Sequence, residues 1–197
     1  MLNLYQMIIH IRKSYTYTGG DGERVPTNVQ IVKNANGIST IKADAAKFCK
    51  CISSIIHPDS IISIEDRAYY ICTAINHFRL SSSLQTIGVQ SFGDCSSITM
   101  LELPATLHTI KKLGFNGCES LRSIVPQQQN EPLSLKTIEE QAFCGCESLT
   151  NIPHFPYLET IEEGAFWGCG SLASIPHFPM LETIELEAFY GCHSLTE

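Results

Sequence analysis

Nine cysteines and seven histidines are the residues of this 197-residue chain best suited to chemistry. Cys49-Lys50-Cys51 and Cys144-Gly145-Cys146 have the C-x-C spacing of a metal or thiol site. His57, His154 and His177 each stand eight residues after a cysteine, the last two within repeated Pro-His-Phe-Pro segments. Two histidines one repeat apart could share a metal ion or a proton, or form a packed ladder bonded to the main chain. Nucleophilic catalysis would need a serine or cysteine held beside a histidine and a carboxylate. The serines mostly fill a Cys-x-Ser-Leu phrase, away from any glycine-rich oxyanion turn, so no catalytic residue is assigned.

The spacing of the cysteines argues for structure over chemistry. Cys49, Cys72, Cys95 and Cys118 lie 23 residues apart, and Cys146, Cys169 and Cys192 repeat that interval. A cysteine at a fixed phase is a core position, where the thiol serves as a small apolar side chain. One member of each C-x-C pair holds that phase and points inward, so the pair does not converge on a metal. Equivalent Cβ atoms of stacked repeats run parallel, which disfavours disulfides even at the roughly 5 Å spacing of neighbouring strands. Reduced thiols, no metal and no cofactor are expected, and with them a cytoplasmic location.

The elements that must carry these side chains follow from the same interval. Leu149–Ser171 and Leu172–Ser194 are one phrase written twice, and such a period signals a stack of coils. Fifteen residues after a phase cysteine stands isoleucine (Ile64, Ile87, Ile110, Ile161, Ile184), and Ile138 holds the same place twenty after Cys118, across the longer interval, with Ile41 in the first copy. Four residues later comes a small residue, then an aromatic: Tyr69, Phe92, Phe115, Phe143, Phe166, Phe189. Gly117, Gly145, Gly168 and Gly191 precede the cysteine and give the corner its backbone freedom. No single coil can bury both of its flat faces, so each needs a neighbour.

After the cysteine, apolar residues at three, six and often eight positions on (Ile98, Leu101, Leu103) give the L-x-x-L-x-L pattern of a short strand. With the A-F-x-G-C phrase, the chain from Val29 to Glu197 resembles the BspA-like leucine-rich-repeat family. The resemblance implies an α/β leucine-rich-repeat solenoid, β-dominated, right-handed and curved. Short strands would line its concave face, with turns or short helices outside. It also implies an interaction or adhesion role without catalytic residues.

Residues 29–197 are thus expected to form about seven coils, the last incomplete. Residues 1–28 are expected as an N-terminal capping hairpin or tail: Tyr15–Thr18 alternates like a strand, Gly19–Gly22 signals a turn, and Glu23–Val25 returns. The 28-residue interval from Cys118 to Cys146 places a loop at Gln127–Pro132. The open last coil could support end-to-end self-association. Glutamates after the outer isoleucine (Glu139, Glu162, Glu185) are expected as a solvated rim.

A formal charge of −7 speaks against nucleic acid, and no apolar run is long enough to cross a bilayer. In MLNLYQMIIHI the positive charges follow the apolar stretch, the reverse of a secretory signal, so no membrane partner is expected. The expected partner is a protein. On the concave face His77, Arg79, Met100, Glu102 and Arg122 are the bulky or charged outward residues. At the corner two before the cysteine, Tyr70, Trp167 and Tyr190 form a second candidate surface. The sequence favours a non-catalytic protein-interaction module. A fragment or spacer of a larger surface or secreted adhesin, and a metal- or thiol-dependent enzyme, are the alternatives.

Overall fold

The computed structural model describes residues 13–196. The reading of MLNLYQMIIHI lies outside the described residues. Within them every named strand pairs in parallel with its neighbours, as stacked coils require.

Two strand positions recur along the coils. The concave one holds β1 (Ser14–Tyr17), β2 (Ile31–Asn34), β4 (Ser54–Ile56), β6 (His77–Arg79), β8 (Met100–Leu103) and β10 (Ser123–Pro126). The second holds β3 (Thr40–Ile41), β5 (Ser63–Ile64), β7 (Thr86–Ile87), β9 (Thr109–Ile110), β11 (Thr137–Ile138), β12 (Thr160–Ile161) and β13 (Thr183–Ile184). Each of these seven is a Thr-Ile or Ser-Ile pair joined in one continuous sheet. The register places Ile110 beside Ile138, Ile138 beside Ile161 and Ile161 beside Ile184, in single file. Isoleucine suits that position because its β-branched side chain favours extended backbone and fills the interior.

Of the turns or short helices expected outside, only turns occur among the described residues, so the β-dominated leucine-rich-repeat solenoid is a β-solenoid. Its outer side is made of turns, with two corners per coil in the left-handed region. One is the glycine site seen in the sequence, Gly117, Gly145, Gly168 and Gly191 at φ 67–76°. The other lies four residues earlier at Asp44, Arg67, Gln90, Leu113, Gln141, Gly164 and Glu187 (φ 53–59°). Backbone turning this way twice in each coil cannot continue as α-helix. No helix long and apolar enough to cross a membrane occurs among the described residues.

The expected N-terminal hairpin does not form. β1 runs parallel to β2, Ser14 opposite Ile31, and so makes a further, shortened coil. Glu23 is withdrawn from any returning strand because its carboxylate accepts from Tyr15 Oη, Thr18 N–H and Oγ1, and Gly20 N–H at 2.8–3.1 Å. Val25 is committed to the next coil, donating its N–H to the Ala45 carbonyl at 2.7 Å.

The core is a set of ladders. Tyr69, Phe92, Phe115, Phe143, Phe166 and Phe189 stack with centroids 5.1–5.5 Å apart. The phase cysteines do more than fill space. Each thiol donates to the main-chain carbonyl of the preceding coil, Cys95 to Tyr69, Cys118 to Phe92 and Cys169 to Phe143, at 3.2–3.3 Å. The Phe92 carbonyl also accepts the Cys95 N–H of its own coil, so both lone pairs are used.

The rim glutamates are likewise structural. Glu65, Glu139, Glu162 and Glu185 accept main-chain N–H groups from Ala43, Lys112, Glu140 and Glu163 of the preceding coil at 2.9–3.1 Å. These donors lie just past a two-residue strand, where the ladder no longer reaches them.

Ser91 takes the small position held by alanine or glycine in other coils, and its Oγ is enclosed without a partner among the described residues. Ser91→Ala is therefore expected to stabilise the chain by about 1–2 kcal/mol, since it removes a buried hydroxyl at no loss of packing. An unchanged or lower denaturation midpoint would contradict this.

Candidate functional site

Alternation along the concave strands sorts side chains into two sets. Ile55, Leu101 and Ile124 turn inward and are buried, while Ile56, His77, Arg79 and Met100 turn outward and are exposed; Arg122, just before β10, is exposed as well. A hollow of about 520 Å³ opens between β6 and β8, lined by Asn76, His77, Arg79, Thr99, Met100 and Glu102, with Phe78 at its floor. It coincides with a break in the concave sheet. β6 is the edge of a four-stranded sheet and β8 the edge of a two-stranded one.

Phe78 is the residue out of pattern at the break. It stands where other coils have Ile55, Leu101, Ile124 and Ile152, all buried, and it is only partly buried itself. Its ring lies 5.3 Å from Phe92 at a tilt of 31°. A ring in a slot shaped for an aliphatic side chain is relieved by moving the backbone.

Four of the five concave candidates (His77, Arg79, Met100 and Glu102) thus share one hollow. Arg122 lies a strand further on, exposed and outside it. Neither Arg79 nor Arg122 has a carboxylate within ion-pair distance among the described residues. Sequence reasoning missed Gln127. The first residue of the inserted loop folds back, donating from Nε2 to the Leu80 carbonyl at 2.8 Å and approaching the Glu102 carbonyl at 3.4 Å. No local pattern marks it, because Leu80 is 47 residues away.

The corner aromatics are not one surface. Trp167 and Tyr190 stack at 6.2 Å with planes 13° apart and are 43% and 62% exposed. Tyr70 lies several coils away against Phe48, at 5.9 Å, with the Lys47 ammonium over both rings. Phe48 is a further exposed aromatic, at φ 65° in the corner site that glycine takes in later coils.

The members of each cysteine pair differ in burial: Cys49 and Cys146 are buried, Cys51 is exposed and Cys144 lies between. Burial, with a smaller contribution from Cys51, pushes the Cys49 thiol up to about 11, and burial raises Cys144. A thiol kept protonated is a poor nucleophile and a poor ligand. All nine cysteines are free, and no metal-binding group of three His, Cys, Asp or Glu side chains occurs among the described residues.

His57 and His154 bond to the main chain of the next coil and not to each other. His154 Nδ1 meets the His177 carbonyl at 2.9 Å. His57 Nδ1 meets the Arg79 carbonyl at 3.0 Å, which leaves Nε2 to accept from Tyr69 Oη at 3.1 Å. Burial holds the His57 imidazole down at about 4, partly offset by the Arg79 carbonyl.

The repeat geometry can now be set beside known proteins. Six copies of the BspA type leucine rich repeat region match residues 26–133 and 128–197. The chain belongs to the BspA-type leucine-rich-repeat family. Its fold is similar to that of a leucine-rich repeat protein from Eubacterium ventriosum, with TM-score 0.71 and 23% identity over 94% of this chain and 44% of that one. A T. pallidum leucine-rich repeat protein gives TM-score 0.74 and 22% identity over 94% of this chain and 85% of that one. This BspA-type chain therefore spans less than half of the E. ventriosum protein. No protein of curated function matches its sequence.

Among its BspA-type coils, the last two depart on the concave side. Ser123 still bridges to Asn151, but no strand follows in either Pro-His-Phe-Pro segment. Proline brings no N–H to a ladder, and Phe155 and Phe178, stacked at 5.9 Å, fill the space instead.

Proposed function

We propose that this chain is a protein-interaction module that holds a partner on its concave face and performs no chemistry on it. The observation carrying this reading is the hollow at the break between β6 and β8, with His77, Arg79, Met100 and Glu102 around it. Met100 is 49% exposed, an apolar contact in the same hollow as the Arg79 guanidinium, which has no ion-pair partner among the described residues. The array is rigid because every coil is bonded to its neighbours, so little ordering entropy is lost on binding. Family membership supports an interaction or adhesin-like role in general. An intracellular address belongs to the same proposal and is supported by the nine free thiols.

A photo-crosslinking residue in place of Met100 is expected to capture a polypeptide in the source cell. Charge reversal at Arg79 and Arg122 together should reduce that adduct about tenfold or more, while the melting temperature stays within about 2 °C. Equal adduct from the doubly reversed chain would retire the concave-face reading.

A further inference from the structure

The break in the concave sheet has two lips, and the ladder geometry says which main-chain groups face across it. In a parallel ladder, successive residues turn their N–H and C=O to opposite neighbours. His77 donates to the Ser53 carbonyl on the β4 side at 3.1 Å, so Phe78 turns its N–H and C=O into the opening. The Thr99 carbonyl accepts from Arg122 on the β10 side at 2.8 Å, so Met100 and Glu102 turn theirs into the opening from the other lip. The registers Ile56 to Arg79 and Glu102 to Val125 would set Arg79 directly beside Glu102 in a closed sheet. The two are outside ion-pair distance across the opening.

One amide already stands between the lips. Gln127 Nε2 donates to Leu80 O at 2.8 Å on one side and lies 3.4 Å from Glu102 O on the other. Its own Oε1 is enclosed without a partner. A single amide group is thus received by carbonyls of both strands, as the main chain of an intervening strand would be. The charges around the opening favour an acidic occupant, because Arg79 and Arg122, without ion-pair partners among the described residues, outnumber Glu102 there.

We propose that the opening between β6 and β8 receives an extended acidic segment of another polypeptide as an inserted strand, hydrogen-bonded to Phe78 on one lip and to Met100 and Glu102 on the other. The proposal rests on the concave face being the docking surface, and it names the conformation and charge of what docks. Strand addition takes affinity from main-chain bonds and selectivity from alternate side chains. Here those would be carboxylates on the outward face beside Arg79 and apolar groups on the inward face above Phe78.

The probe is an acetylated, amidated octapeptide of alternating valine and glutamate, compared with an analogue N-methylated at alternate amides and one with lysine for glutamate. Calorimetry should show binding by the parent peptide, weakened at least about tenfold by N-methylation or by lysine. Amide exchange at Phe78, Met100 and Glu102 should slow in the complex. Phe78→Leu, which restores an aliphatic side chain, should close the lips, protect these amides without peptide and weaken binding at least about tenfold. Gln127→Ala should strengthen binding, since it removes a competing amide.

Equal binding by the N-methylated peptide would overturn the inserted strand but leave the concave-face reading standing. Equal binding by the lysine peptide would overturn the acidic assignment. No binding by the parent peptide, or no slowed amide among the three, would overturn the proposal as a whole. Sedimentation showing a dimer that protects the same amides without peptide would replace the occupant with a second copy of this chain.

Discussion

Ile161→Asp is expected to cost more than about 4 kcal/mol, and Ile184→Asp, the same change one coil later, less than about 1 kcal/mol. The two isoleucines hold the same phase in adjacent coils and pair with each other in one ladder. Ile161 is fully enclosed, whereas Ile184 is 55% exposed in this chain. A carboxylate at Ile161 would find every nearby main-chain donor committed to the strand ladder, so it must be neutralised or drag water inward. Nearest-neighbour coupling would spread the damage into the flanking coils. Denaturant titration of both variants checks this, and equal midpoints would mean that phase, and not enclosure, decides the cost.

Acidification from pH 7 toward 4.5 is expected to destabilise the N-terminal coils through His57. An unfolded histidine binds its proton near 6.5, whereas burial holds the folded His57 at about 4. The unfolded state therefore carries the extra proton between those values, and stability rises with pH across the window. The contribution is fully present above about 6.5 and is lost as pH falls, the loss reaching roughly 3 kcal/mol by about pH 4. Protonation must put a second N–H on a ring whose Nε2 now accepts from Tyr69 Oη at 3.1 Å. His57→Gln should flatten the dependence of melting temperature on pH between 7 and 4.5. A slope unchanged by that substitution would assign the acid sensitivity elsewhere.

Much of the fold was legible because a stack repeats its own constraints. One buried isoleucine, one aromatic and one thiol recur at a fixed interval, since each coil presents the same slot to its neighbour. The β6–β8 opening was not legible in this way. Phe78 sits in an aliphatic phase, and only the coordinates show that the mismatch separates two strands. Residues Tyr15–Val25 looked like a hairpin because alternation and a glycine turn are local signals. The Glu23 carboxylate and the contact from Val25 to Ala45 are not local, and they won.

By itself the sequence determined the stacking of like residues, the inward thiols and the outward set on the concave strands, because periodicity specifies which side chains share a face. Only the tertiary structure decided where that face breaks, which atoms turn into the break, and that Gln127 reaches them from two coils away. Those outcomes depend on how neighbouring coils accommodate one oversized ring, and no single coil contains that information.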